Sequence, residues 1–361
     1  MSTGNNLYVV TPRQARKLIV RILQAGLVPF VRSSPAMGKS AMMHSIADEF
    51  TLKLIDHRVS TSRPEDFNGL PRFDDDGMAY FSPFAGIFPI SGITRIPDGK
   101  GGWLLFLDEA NSGTKMVQAG MYKLLLDKYI GQYALHENCA IALAGNLGSD
   151  RAIVTEFSSA LDSRVVTLEL RLDFEEFLED VAYPQGWDDR VIAYWHFDGK
   201  IDALSDFKPD YKERGEKSYC APRTWDFVQR LIHGHAVTDE DAPMLAGTMT
   251  AGRAASFIQF CKIIENMISL REVRADPKNC PLPQNAQQKW GITARLSSEA
   301  TEENLEDISE YVSRFDKVFR VLFYRALIQK HPELRTMPAF TKRVVQISND
   351  LNQTQSTLMA A

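Results

Sequence analysis

Apolar residues at Ala15, Leu18, Ile19, Ile22 and Leu23 recur with helical spacing, and Thr11-Pro12 ahead of them reads as an N-cap followed by a first-turn proline. The period then changes. "LVPFV" (27–31) is a short unbroken apolar run, as in a strand buried on both faces, and "SAMMHSIADEF" (40–50) returns to helical spacing. "LKLIDHRV" (52–59) predicts a second strand and "GWLLFLDEAN" (102–111) a third with an acidic end. Between them, "RFDDDGMAYF" (72–81) sets aspartates and Gly77 between aromatic flanks, a hairpin signal. A helix follows to about Lys128, with Val117, Met121, Leu124 and Leu125 on one side. "KYIGQYALHEN" (128–138) predicts a short hairpin, residues 140–144 a buried strand, and "RVVTLEL" (164–170) a fifth strand.

Past residue 172 the pattern is mostly helical. "REVRADPKNCPLPQNAQQKW" (271–290) is rich in Pro, Asn and Gln and predicts a loop. Leu305, Ile308, Val312, Phe315, Phe319 and Leu322 then fit a single amphipathic helix, and the polar tail from 349 is expected to fray. Strands alternating with helices, followed by helices, predict an α/β fold. A central parallel sheet flanked by helices would occupy 1–172, with hairpin inserts near 66–91 and 128–138. A helical domain would occupy 173–270, and a loop with a helical extension 271–361.

Composition narrows the function. The 361 residues are 44% hydrophobic and 24% charged, with room for two or three domains. A net charge of −5 argues against a domain built to grip nucleic-acid backbone. No apolar run approaches the ~20 residues that span a bilayer, and "MSTGNNLYVVTPRQ" lacks the charged-then-apolar order of a signal peptide, so a cytoplasmic protein is expected. Cys139, Cys220, Cys261 and Cys280 lie far apart without a C-x-x-C pair, which predicts reduced thiols rather than a zinc site or disulfide framework. His233 and His235 would face apart on a helix, and "DDD" (74–76) lacks calcium-loop spacing, so neither predicts a metal.

The candidate chemistry lies at strand ends. "SSPAMGKSA" (33–41) closes as a phosphate-binding loop does, with Gly38, Lys39 and Ser40, between a predicted strand and a predicted helix. In that context backbone N–H groups at the helix N-terminus cradle a phosphate. The stretch departs from G-x-x-x-x-G-K-[ST] at Ser33, and Ala36 stands where many such loops carry glycine. If both backbones must take positive φ, each costs on the order of 1 kcal/mol relative to glycine. Lys39, Ser40, Asp108 and Glu109, which no backbone adjustment replaces, are all present. Of the two carboxylates ending the third strand, one would hold Mg²⁺ together with the Ser40 hydroxyl and the other would polarise a water. The plain alternative is a solvated acidic strand end. Asn146, at the tip of the next strand, would face the γ-phosphate or that water, although Asn-Leu-Gly is also ordinary turn chemistry.

Taken in order, strand–loop–helix, "FLDEAN", "LAGN", "SSALDSRVV" and "APRTWDFV" resemble the motifs of AAA+ ATPases. In detail they resemble the MoxR branch, particularly the forms encoded beside von Willebrand factor A-type proteins. That branch carries P-x-D-x-x-G-x-P before its acidic strand; here "RPEDFNGLP" (63–71) has Glu65 between Pro64 and Asp66. The resemblance spans nearly the whole chain and is most specific in roughly the first 230 residues. It implies that Ser34, Pro35, Ala36, Met37, Gly38, Lys39, Ser40 and Ala41 wrap ATP, with Lys39 against the β- and γ-phosphates. It implies Mg²⁺ on Ser40 and Asp108, Glu109 as catalytic base and Asn146 as sensor 1. Arg164 would be the arginine finger that reaches a neighbouring subunit's γ-phosphate, and Arg223 the sensor 2 that reads nucleotide in cis. Arg151, in "GSDRA", is a weaker second candidate for a trans contact. An arginine acting in trans needs adjoining subunits, so a closed homo-oligomeric ring, a hexamer, is implied.

Three classes of function follow. The first is a remodelling ATPase that rearranges a protein client presented by a von Willebrand factor A-type adaptor. Phe73, Tyr80, Phe81 and Phe84 on one hairpin, with Tyr129 and Tyr133 on the other, would grip an extended polypeptide unless they pack the hairpin bases. The second, a DNA-associated motor or loader, needs a basic pore, and Arg72 and Lys128 are the only cations at the hairpin tips. The third, a non-hydrolysing nucleotide-gated scaffold, requires Ser33 and Ala36 to cripple the loop. Net charge and aromatic hairpins favour the first.

Overall fold

Residues 8–150, 155, 157–265 and 267–347 are described by the computed structural model, and the chain divides into two units between Leu172 and Asp173. In the first unit, β1 (Val9–Val10) leads into α1 (Pro12–Gln24) through the expected cap. The Thr11 hydroxyl accepts from the Gln14 N–H, and the Gln14 side chain accepts in return from the Thr11 N–H. The chain continues through β2 (Val28–Ser33), α2 (Lys39–Glu49), β3 (Leu52–Arg58), α3 (Pro64–Asn68), β4 (Leu70–Phe73) and β5 (Ala79–Ser82). Then come β6 (Gly102–Asp108), α4 (Lys115–Asp127), β7 (Tyr129–Ile130), β8 (Tyr133–Ala134), β9 (Cys139–Asn146), α5 (Ser159–Asp162) and β10 (Val165–Leu170).

Six strands form one parallel sheet in the order β1-β10-β2-β9-β6-β3, and β4-β5 and β7-β8 are separate antiparallel hairpins. The sheet is a middle layer. Val31, Leu104, Phe106, Ala142 and Ala144 pack with Ala15 and Ile19 of α1 and Met43, Ile46 and Ala47 of α2. Phe30, Leu105, Leu107, Ile141 and Leu143, on the other face, pack with Val117, Met121 and Leu124 of α4 and Phe67 of α3. Burial on both faces is why β6 reads as a continuous apolar run rather than an alternating one. β1 escapes the sequence pattern because two residues display no period; it adds to the sheet through Val9↔Glu169 and Val10↔Leu170.

The second unit is helical: α6 (Phe174–Phe177), α7 (Asp189–Phe197), α8 (Ile201–Leu204), α9 (Pro222–Ile232), α10 (Ala242–Thr248), α11 (Ala251–Glu265), α12 (Leu270–Ala275), α13 (Ala286–Ser298), α14 (Leu305–Val312) and α15 (Lys317–Lys330). The α/β fold with a central parallel sheet and a following helical region is therefore as the sequence predicts. Two local expectations fail. The loop predicted over 271–290 shrinks to 276–285, because Ser269 and Glu272 form a capping box that starts α12, and Asn285 caps α13. The single helix predicted over 305–322 is two helices separated by 313–316. Four residues are close to one helical turn, so Phe315 and Phe319 stay in phase with the apolar stripe across the break. Arg314 holds the break by donating to the Cys280 (2.8 Å) and Pro277 (3.1 Å) carbonyls. Among the described residues, no helix is long and apolar enough to cross a membrane. The four cysteines are free and buried.

His196 gives the helical unit a titratable weakness. Its ring stacks 4.6 Å from that of Trp290, and Nδ1 is buried without a hydrogen bond. Burial first, with Lys200 and Arg325 adding to it, pushes the imidazole pKa down to about 3. An unfolded histidine titrates near 6.5, so as pH falls the unfolded chain takes up this proton first and the folded state loses stability. The loss is on the order of 2 kcal/mol by pH 5. Denaturant unfolding of His196→Phe at pH 7 and pH 5 is expected to show a shallower acid loss than wild type; an equal loss would remove His196 as its source.

Candidate nucleotide site

β2 delivers the chain into the loop at 34–38 from the middle of the sheet. Ser33 is still strand, paired with Asn146 of β9, so the positive φ considered for it does not arise. Ala36 does take the left-handed conformation, at φ 64°, and Gly38 lies at φ 83° with open space where a Cβ would point. The cost of departing from glycine thus falls on Ala36 alone, at about 1 kcal/mol. Gly38 is the N-cap of the eleven-residue α2 and supplies no side-chain cap, which leaves the first-turn N–H groups to meet an anion.

Lys39 is buried, and its Nζ donates to Ser33 Oγ (2.9 Å), Ser33 O (3.2 Å), Ser34 O (3.3 Å) and Asn146 Oδ1 (3.4 Å). Ser33 therefore contributes a hydroxyl where the usual glycine offers none. One residue on, the Ser40 hydroxyl donates to Asp108 Oδ2 (3.0 Å). A carboxylate and a hydroxyl are hard oxygen donors suited to Mg²⁺, which is commonly held by one or two carboxylates together with substrate phosphates. Among the described residues no group of three or more His, Cys, Asp or Glu side chains is placed to hold a metal. His233 and His235 lie past the end of α9 rather than on it.

Glu109 leaves β6 in the left-handed region at φ 54°, an uncommon conformation for a residue with a side chain. Its N–H donates to Asp108 Oδ1 (2.8 Å), and its Oε2 accepts from the Ser60 hydroxyl. Ser60 belongs to no motif and was not a sequence candidate. It reaches Glu109 because the register Arg58↔Asp108 sets the ends of β3 and β6 side by side. A polar residue just past the neighbouring strand's end was the available signal.

The structure thus brings Ser33, Ser34, Lys39 and Asn146 into one hydrogen-bonded group and pairs Ser40, the next residue along, with Asp108, with Glu109 next to Asp108. Arg164 lies elsewhere in the first unit, with Nη1 donating to Ala160 O and to Ser163 Oγ (2.9 Å) and its guanidinium 4.6 Å from the Tyr122 ring centre. Arg223 is exposed near the start of α9 in the second unit. Arg151 lies outside the described residues. On the hairpins, Phe73 is 72% and Phe81 46% exposed, and the pairs Phe73↔Ala79 and Pro71↔Phe81 put both rings on one face. Tyr129 is exposed, whereas Tyr80, Phe84 and Tyr133 are half-buried.

No family model and no curated protein matches the chain. Solved structures similar to it include NtrX from Brucella abortus, with 12% identity and a TM-score of 0.33 over 97% of this chain and 69% of that one. They also include a point mutant of RuvB from Thermotoga maritima, with 18% identity and a TM-score of 0.35 over 81% of this chain and 87% of that one. A second RuvB mutant has 17% identity and a TM-score of 0.34, over 81% and 86%. Likeness at this level carries no functional conclusion.

Ala36→Gly should relieve the loop's left-handed strain and raise stability by up to about 1 kcal/mol. A lower thermal midpoint for the variant than for wild type would show that the loop pays nothing for its alanine.

Proposed function

We propose that this chain is an ATP hydrolase of the AAA+ type, MoxR-like in detail, that acts in a closed ring to remodel a protein partner. One observation carries the reading: Lys39, Ser40, Asp108, Glu109 and Asn146 gather at the C-terminal ends of β2, β9 and β6, three neighbouring parallel strands. Open α/β sheets bind ligands in that crevice.

The residues then divide the work by their chemistry. The first-turn N–H groups of α2 and the Lys39 ammonium receive the phosphates, with Lys39 exchanging its contacts to Ser33, Ser34 and Asn146 for phosphate oxygens. Ser40 and Asp108 would hold Mg²⁺, which when bound offsets the negative charge of the transferring phosphoryl group. Glu109 accepts a proton from the attacking water, and the Asn146 amide orients that water. Arg164 would have to leave Tyr122 and Ala160 to act on a neighbour's nucleotide. Arg223 as the cis sensor, the hexamer and a von Willebrand factor A-type adaptor enter from the resemblance. Exposed Phe73 and Phe81 on one face of the β4-β5 hairpin support a protein client, and four buried free thiols suit a reducing cytoplasm.

A second reading, the non-hydrolysing nucleotide-gated scaffold, has one observation in its favour: the strained Ala36 in a loop whose lysine is already satisfied by its own backbone.

ATP turnover and nucleotide binding, measured with particle mass, separate the two. Glu109→Gln is expected to lower turnover by about 10²-fold or more while keeping nucleotide binding. Lys39→Ala should lose binding, and Arg164→Ala should lose turnover alone, in a particle near six protomers. Wild type that binds nucleotide without turnover would hand the case to the scaffold. A further variant probes the base: Ser60→Ala frees one oxygen of Glu109, and turnover should fall roughly 10-fold at unchanged nucleotide affinity. Unchanged turnover would mean that Ser60 does not set the carboxylate.

A further inference from the structure

Two residues beyond Glu109, Asn111 is 5% exposed and its carboxamide pairs with both backbone groups of one residue. Nδ2 donates to Asn146 O (2.8 Å), and Oδ1 accepts from the Asn146 N–H (3.0 Å). The reason lies in the sheet. On one side Asn146 is paired with Ser33 of β2, but on the other the pairing of β9 with β6 ends at Leu107↔Leu143. The Asn111 amide stands where further strand would be and satisfies groups that burial would otherwise leave costly. Gly145 is shaped to this contact: a Cβ there would lie 2.4 Å from Asn111 Oδ1 and 2.8 Å from the Phe30 ring. The Asn111 carbonyl is fixed in turn, accepting from the Thr155 N–H (2.7 Å), while Thr155 O accepts from the buried Gln118 side chain (3.0 Å).

We infer that Asn111 is a positioning residue that sets Asn146 against the turn carrying Glu109, so that amide and carboxylate address one water. The inference rests on the ATPase reading. Asn111 meets neither phosphate nor water; it acts through Asn146. Its sequence neighbours supply the logic, since the 108–111 segment carries the metal-side carboxylate, the base and the bracket for the opposing strand tip.

The test compares wild type, Asn111→Ala and Asn111→Asp in MgATP turnover, with exchange of the Asn146 amide followed in each. Asn111→Ala should lower kcat by about 10²-fold, the scale of a small misplacement of reacting groups, while KM stays within about 2-fold. The Asn146 amide should exchange faster. Asn111→Asp is nearly isosteric and keeps an acceptor for that amide, so it should preserve protection while losing the bond to Asn146 O, with kcat between the other two. It also serves if the alanine variant fails to fold. An active wild type with unchanged kcat in Asn111→Ala overturns the inference, as does unchanged Asn146 exchange. Loss of kcat and KM in step would reduce Asn111 to a general structural role. A wild type without turnover refutes the ATPase reading instead, and amide exchange still decides whether Asn111 holds Asn146.

Discussion

A lysine ammonium buried at the end of a sheet is tolerable only inside a shell of oxygen atoms, and the site is built around that requirement at Lys39. The oxygens come from Ser33 at the end of β2, Ser34 in the loop, and Asn146 at the tip of the adjacent strand. Each is placed by something larger than itself. The β2–β9 register puts Ser33 opposite Asn146, and the left-handed turns at Ala36 and Gly38 bring the chain back so that α2 starts with its lysine pointing into the shell. Change the register by one residue and the strand tips present their other faces. The chemistry of the crevice therefore depends on the parallel pairing of the central strands.

Two strained backbone positions lie at this same edge. Ala36 and Glu109, one in the loop and one after β6, are both non-glycine residues at positive φ. Such residues persist where their surroundings over-determine them. For Glu109 those surroundings are three hydrogen bonds: Asp108 accepts from its N–H, Ser60 donates to its carboxylate, and the Ser112 N–H closes the turn on its carbonyl. The left-handed step turns the chain sharply away from the strand direction. It leaves two adjacent carboxylates with different partners, Asp108 with Ser40 and Glu109 with Ser60, which is what separate metal-side and base roles need.

What the sequence made legible follows from what each element does. Strands buried on both faces, such as Leu104 to Leu107, announce themselves as apolar runs, and α1 and its cap could be read almost to the residue. So could the polar and charged members of the crevice, because Lys39, Ser40, Asp108 and Glu109 have a chemistry tied to their spacing. Features fixed by contacts across the sheet left only a faint local trace. Ser60 and Asn111 are ordinary polar residues in ordinary turns until strand pairing places them beside Glu109 and Asn146. The break between α14 and α15 stayed hidden because it preserves helical phase, and β1 because two residues are too few to show a period.

Ser33 shows why a departure from a motif has to be judged by what the position does. In the usual pattern glycine at the strand exit gives backbone freedom, yet here that residue is extended strand and needs none. Its side chain instead adds an oxygen 2.9 Å from Nζ and donates to Ser34 O (2.8 Å), tying the loop to its own lysine. A phosphate entering the crevice therefore competes with neutral oxygens for the ammonium. Charge favours the phosphate, since its anionic oxygens add a Coulombic attraction to the ammonium that the neutral acceptors lack. The substitution then alters how tightly the empty loop holds its lysine, while the groups that would meet a triphosphate stay in place. Ala36 is the opposite case: its side chain does nothing visible for the site, and its backbone bears the strain.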